Sequence, residues 1–384
     1  MLPLFYVISH YSNLPFRAWE QRKFIEIINR LSKTSNSSIL PKVEYEDIIA
    51  EEGRLNKDIS NKFDSRKGIL FQPKNILYGK LRPYLKNWLY PDFKGVAVGD
   101  FWVFEAIEAT PRFIYNLIQS DSYQKVANDT AGTKMPRSDW TKVSNSSFFI
   151  PKESSEQKRI GTFFKQLDDT IALHQRKLDT LKQMKKGLLQ QMFPKSEEDV
   201  PKIRFADFDE EWYQRKLGEE FEKINERNDG SFGKTHWISV AKMYFVEPNK
   251  VLSNNIDTRT YVMRKGDIAF EGHSNTDFKF GRFVANDIGP GIVSELFPVY
   301  RHKTNYDNNY WKNAIQLEHI MAPIYSKSIT SSGNSSNKLD SKHFLNQKIY
   351  IADFEEQEKI GSIFKQLDNT IILYQNKLNK FDIL

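Results

Sequence analysis

Two stretches of the chain carry apolar residues on an alternating spacing of three and four. Residues 156–181 read EQKRIGTFFKQLDDTIALHQRKLDTL and residues 356–381 read EQEKIGSIFKQLDNTIILYQNKLNKF, identical at 15 of 26 positions and 200 apart without a gap. The spacing places Ile160, Phe164, Leu167, Ile171 and Leu178 on one helix face, and Ile360, Phe364, Leu367, Ile371 and Leu378 on the other. Such a stripe must be buried against another helix in water, so these ten positions are the expected helix-pairing residues. Ser154-Ser155-Glu156-Gln157 and Asp353-Phe354-Glu355-Glu356 supply the short polar side chain and following Glu or Gln of a helix start. The first helix is expected to run to Phe193-Pro194, about 55 Å at ~1.5 Å per residue.

A second phrase repeats as well. Trp19-Glu20-Gln21-Arg22-Lys23 and Trp212-Tyr213-Gln214-Arg215-Lys216 each open a segment that closes on one of the helices. Between these ends the halves diverge, except for Gly95-Val96 with Phe101, Val103 and Phe104 against Gly291-Ile292 with Phe297, Val299 and Tyr300, which read as core strands. Strands are also expected at 68–71 and 75–78, and around Val262 and 268–270. A helix is expected over 112–126 and another around 310–321, each followed by a glycine-containing loop. The frame predicts a duplicated unit of one α/β or α+β domain plus one long helix.

Charge and composition narrow the classes. Lys and Arg number 56 against 49 Asp and Glu, a net charge of +7 that leans toward a polyanionic partner. The absence of cysteine excludes disulfides, thiolate catalysis and cysteine-ligated metal sites. No apolar run approaches the ~18 residues of a membrane helix, and the N-terminus lacks the pattern of a signal peptide; a cytoplasmic location is expected.

Catalytic motifs are approached but not met. Asn228 to Thr235 resembles a phosphate loop without its first glycine, and Asn13-Leu14-Pro15-Phe16 resembles a base-holding methyltransferase motif without room upstream for a methyl-donor site. Asp168-Asp169 becomes Asp368-Asn369 in the repeat, which disfavours a carboxylate pair, and the seven histidines lack metal-site spacing. No catalytic residue and no metal ligand is assigned.

Binding features are stronger. Lys80, Arg82 and Lys86 interleave with Tyr78, Tyr84, Trp88 and Tyr90, and Lys134 and Arg137 follow in a later loop. The second half offers His273, Asn275, Lys279, Arg282, Asn334 and Lys338. Cations engage phosphates and guanine edges and Asn suits adenine, so these eleven residues are the candidate DNA-binding set.

The phrases Glu156 to Ile171, Gln175 to Leu178 and Lys185 to Phe193, with Glu356 to Leu378 and the entry Arg204 to Phe208 and Trp212 to Glu219, resemble the specificity subunits of type I restriction-modification systems. That resemblance implies an α/β (α+β) pseudo-two-fold architecture. Target-recognition domains at 1–153 and 195–352 would be joined by conserved helices at 154–194 and 353–384 packed as an antiparallel coiled coil. It further implies a non-catalytic subunit in which each domain reads half of a bipartite double-stranded DNA site. Two methyltransferase subunits and two restriction-translocase subunits are the implied partners, and S-adenosylmethionine, ATP and magnesium would reside on them. A coiled-coil interaction scaffold without sequence-specific DNA binding is the alternative, but it leaves two divergent domains in one repeated frame unexplained.

Overall fold

The two stretches of three-and-four spacing form the longest helices of the computed structural model, Ser154–Gln191 and Phe354–Phe381. The structure describes residues 19–381 apart from 63, 131–133, 196–197, 253–255, 257–258 and 333–335. It divides into two compact units, 1–170 and 171–384, with the division inside the first long helix.

In the first unit, Trp19–Lys23 pairs antiparallel with Ser147–Pro151, joining the opening phrase to the strand that leads into the helix. A four-stranded antiparallel sheet runs in the order Ile28–Leu31, Phe101–Ala106, Ile76–Gly79 and Trp88–Leu89. The two faces of this sheet contribute to two cores, which short helices and the flanking strands complete. Phe24, Phe104, Tyr123 and Phe148 form one, with Phe24 5.3 Å from Phe104 and 5.2 Å from Tyr123 between ring centroids; Val43, Phe71, Leu77 and Val103 anchor the other.

The second unit repeats the plan. Tyr213–Lys216 pairs with Lys348–Ile351, and the four-stranded sheet runs Phe221–Ile224, Val299–His302, Ile268–Glu271 and Arg282–Ala285. The echoed residues Phe101, Val103 and Phe104 and their counterparts Val299 and Tyr300 thus fall on strands holding the same place in two sheets of the same order, with Phe297 just ahead of the second strand.

Several expectations change. The helix expected over 112–126 is two, Pro111–Leu117 and Asp121–Ala127, because Ser120 accepts a hydrogen bond from Tyr123 N and starts a new helix. The region around 310–321 likewise divides into Asn308–Ala314 and Glu318–Ser328. The first long helix stops at Gln191, and Met192 and Phe193 turn into the second unit's core.

The stripe residues also part company. Ile160 packs on the first unit's core, while Ile360 and Phe364 are buried in the second unit's core. Phe164 is 43 % exposed, contrary to its place on a buried stripe. Within the second unit, residues 171–191 of the first helix do meet the second helix. The His174 ring lies 5.5 Å from that of Tyr374 and 5.9 Å from that of Phe381, and Lys185 Nζ is 2.6 Å from Asp368 Oδ1, so the chains there run in opposite directions. Leu178 is buried at this level, whereas Ile171, Leu367, Ile371 and Leu378 are half-buried.

Both helix starts use one device. Gln157 Nε2 donates to Pro151 O and its Oε1 accepts from Thr110 N; Gln357 Nε2 donates to Ala352 O and its Oε1 accepts from Asp307 N. Gly361 permits the close approach, since a Cβ there would stand 1.9 Å from Asp307 Oδ1. No helix among the described residues is long and apolar enough to cross a membrane.

Candidate nucleic-acid interface

In the first unit the candidate surface begins where the Ile76–Gly79 strand ends. Lys80 N donates to Asp100 O at 2.9 Å, Ser138 N donates to Lys80 O at 2.8 Å, and Arg82 N donates to Pro136 O at 2.7 Å. With the Leu81–Arg137 bridge, these bonds fuse 80–86 and 134–137 into one surface although about fifty residues of chain separate them. Arg82 and Lys86 hold φ of 49° and 52° on either side of the tight turn Pro83–Leu85. Left-handed backbone is uncommon for such residues and is held only where neighbouring bonds determine it. The turn thrusts Tyr84 and Leu85 outward at 55 % and 40 % exposure, beside the exposed Met135.

Charge on this surface is graded. Asp100 holds Arg137 at 3.0 Å and Lys80 at 3.6 Å, and Glu51 holds Lys86 at 3.3 Å. Arg82 and Lys134 are exposed and, among the described residues, have no carboxylate partner. Tyr45 organises the floor: its hydroxyl donates to Asp100 O and accepts from Leu81 N. Burial pushes that hydroxyl above its ordinary range, so it stays a neutral donor. Tyr45 and Asp100 were outside the sequence-derived set, and neither carries a local signal for its role.

In the second unit the surface starts at the matching place, the end of Ile268–Glu271. Asn337 N donates to Gly272 O at 2.9 Å, and a Cβ on Gly272 would stand 2.2 Å from Asn337 O. The absent side chain therefore lets loop 272–281 lie against the Asn337–Leu339 strand, bringing His273, Asn275, Lys279 and Arg282 into one region with Lys338. Much of this loop is committed to its own shape. Asn275 Oδ1 accepts from Asp277 N and Phe278 N, both at 2.9 Å. Arg282 Nη2 donates to Ala241 O at 2.6 Å, with its guanidinium 4.8 Å from the Phe278 ring. His273 pairs through N and Nδ1 with Glu271. Lys279 and Lys338 are exposed. Asn334 lies outside the described residues, as does the Asn13 to Phe16 motif.

The near-catalytic motifs have other employment. The loop from Asn228 closes on itself through bonds between the Asn228 side chain and Phe232 O and N. Asp168 pairs with Arg112 at 2.8 Å and Asp169 with Lys165 at 2.6 Å. No cluster of three or more His, Asp or Glu suited to a metal occurs among the described residues.

With this geometry in view, residues 18–183 match the family profile described as type I restriction modification DNA specificity domain. The whole chain resembles solved structures in fold. One, from work on complex assembly and conformational transition of the type I R-M system, has 16 % identity and a TM-score of 0.53, covering 97 % of this chain and 96 % of the other. Another, the type I restriction-modification system S subunit from M. genitalium, has 13 % identity and a TM-score of 0.59, covering 97 % and 95 %. No curated protein sequence matches the chain.

Proposed function

We infer that this chain, whose residues 18–183 match the profile described as type I restriction modification DNA specificity domain, is a DNA-specificity subunit whose two globular parts, 1–153 and 195–352, each read one half of a bipartite site. The observation that carries this reading is the repetition of place with change of content. In each unit the third strand of the same four-stranded order ends in a cation-bearing loop, and a distant segment is hydrogen-bonded against it. The first such loop presents Arg82, Tyr84 and Lys134; the second presents Lys279 and Lys338. Divergent loops on one repeated frame suit two unrelated half-sites, and fixed helices suit a constant distance between them.

Chemistry on the DNA belongs, in this reading, to partners. Methyltransferase subunits dock on the helices and flip an adenine in each half-site, while restriction-translocase subunits complete the complex. S-adenosylmethionine, ATP and magnesium are bound by those partners. The test is co-expression of the chain with its methyltransferase partner, followed by mapping of methylated adenines genome-wide. A bipartite motif that appears only with this chain, and changes in one half when residues 76–137 are exchanged, is the expected result. Methylation without a bipartite motif, or a motif untouched by the exchange, overturns the proposal.

A further inference from the structure

The repeated helices carry the same aspartate, Asp168 and Asp368, and each uses it differently. In the second unit Asp368 pairs with Lys185 of the other long helix, whereas in the first Asp168 accepts at 2.8 Å from Nη2 of Arg112, a residue of the globular part. Gln157 and Gln357 hold Thr110 N and Asp307 N in the same way, so the place of Arg112, two residues on, is taken in the second unit by the uncharged Asn309. Arg112 is thus an addition to the repeated frame.

Its setting shows what the addition does. At its start the helix lies close to the globular part: Ile160 packs on the core, and a Cβ on Gly161 would stand 3.1 Å from Arg112 Cβ and Cγ. Residues 162–166 are all exposed. Asp168, about two turns and ~10 Å beyond Gly161, is then tied back by Arg112. The guanidinium that makes this tie is itself held, with Cζ 5.3 Å from the Tyr90 ring centroid and 5.0 Å from that of Tyr115, the two rings being 5.3 Å apart. An exposed ion pair is ordinarily weak, because two flexible side chains must be ordered to form it. The Arg112 side chain is only 24 % exposed and already ordered by the rings and by Gly161, and aspartate has a short side chain, so most of that cost is absent here.

We propose that the Arg112–Asp168 pair braces the first long helix against its own globular part, making Arg112 a positioning residue that enforces the spacing between the two half-sites. The inference rests on the bipartite reading above. From Asp168 the helix continues to Gln191, ~35 Å at ~1.5 Å per residue. A tilt of about 6° at the brace moves the far end by ~3.5 Å, as much as one base-pair rise of ~3.4 Å. The brace nearly doubles the length over which the helix is fixed, from Ser154–Gly161 to Ser154–Asp168, and so limits such a tilt. In this role Arg112 selects the number of base pairs between half-sites and not their identity.

The test uses the full chain, which has no native cysteine to compete with introduced spin labels. Labels at Ile107→Cys in the globular part and Met184→Cys on the helix, both exposed positions, report the direction of the helix by pulsed electron paramagnetic resonance. Asp168→Asn and Arg112→Gln should each broaden the distance distribution by about 3 Å or more, while Asp169→Asn, whose carboxylate pairs with Lys165 inside the helix, should leave it unchanged. A distribution unchanged by Asp168→Asn overturns the brace. The second measurement is methylation, by the complex with its methyltransferase partner, of duplexes carrying both half-sites at the native spacing or one base pair longer or shorter. Preference for the native spacing should fall about threefold or more in Asp168→Asn, chiefly through gain at the altered spacings. Loss in equal proportion at every spacing overturns the spacing role, since damage to folding or docking does not discriminate between duplexes that carry the same half-sites. A native complex that methylates no bipartite site defeats the two-half-site reading itself. A native complex that discriminates spacings, with Asp168→Asn discriminating them equally, defeats only the brace.

Discussion

The two candidate reading surfaces occupy the same place in their sheets, both joined by backbone bonds to a distant segment, and are stiffened by different additions. In the first, ion pairs reinforce the backbone bonds that join its two segments: Asp100 draws in Lys80 and Arg137, the Tyr45 hydroxyl anchors the backbone, and Arg82 and Lys134 project, among the described residues, without carboxylate partners. In the second, close backbone approach does it: Gly272 lies on Asn337, and Asn275 and Arg282 spend their polar groups on neighbouring main chain. A surface held by ion pairs keeps its cations near a ligand yet loses strength with salt. One held by packing fails only when its geometry is violated.

The largest effect is therefore expected where geometry is tightest. Gly272→Val would place side-chain atoms inside contact distance of Asn337 O, where a Cβ alone stands at 2.2 Å. Overpacking of this kind costs about 1–3 kcal/mol. Recognition of the second half-site should be lost while the first is kept, as read by binding to duplexes carrying single half-sites. Retained discrimination at the second half-site would show that the Gly272–Asn337 contact does not shape the reading loop.

A smaller effect is expected from Arg82→Ala in the first surface. The guanidinium sits on a left-handed residue that orients it outward, and a base-edge contact is worth about 1–3 kcal/mol. Affinity for the cognate first half-site should fall roughly tenfold or more with little change for a scrambled one. Equal loss on both duplexes would make Arg82 a phosphate contact. Such a contact would also lower the salt slope by ~0.9.

What could be read in the sequence was whatever depends on near neighbours. The helix stripes, the Trp phrases and the strand echoes rest on spacing within one element, and they fall on regular structure except at Trp212 and Phe297, which stand just ahead of their strands. The interleaving of Lys80, Arg82 and Lys86 with aromatics was visible for the same reason. The joining of 80–86 to 134–137 was not, because backbone bonds across half the domain create it and no local pattern announces them. Phe164 misled for a related reason. Its spacing matches that of Phe364, but burial of Phe364 depends on Phe193, which arrives from another element. Ser120, a single capping hydroxyl, divided a helix that apolar spacing alone would have continued.

Acid should separate the two units more gently than substitution does. His302 ends the strand Val299–His302 and stacks on Tyr306 with ring centroids 3.8 Å apart, between Phe221 at 4.3 Å and Trp311 at 5.4 Å. Burial among these rings, with neither ring nitrogen hydrogen-bonded among the described residues, pushes its pKa down from 6.5 to about 3. In the unfolded chain the same histidine binds a proton near pH 6.5, so below that value the unfolded state takes up a proton that the folded unit refuses. The stability of the second unit is consequently full above pH 6.5 and declines as the pH falls from 6.5 toward 3. No histidine of comparable burial stands among the described residues 19–170 of the first unit. Melting followed between pH 7 and pH 5 should lower the second unit's transition more than the first's, and His302→Phe, which keeps the aromatic stack, should flatten the difference. A pH slope unchanged by His302→Phe would place the acid sensitivity elsewhere and remove this contrast between the two units.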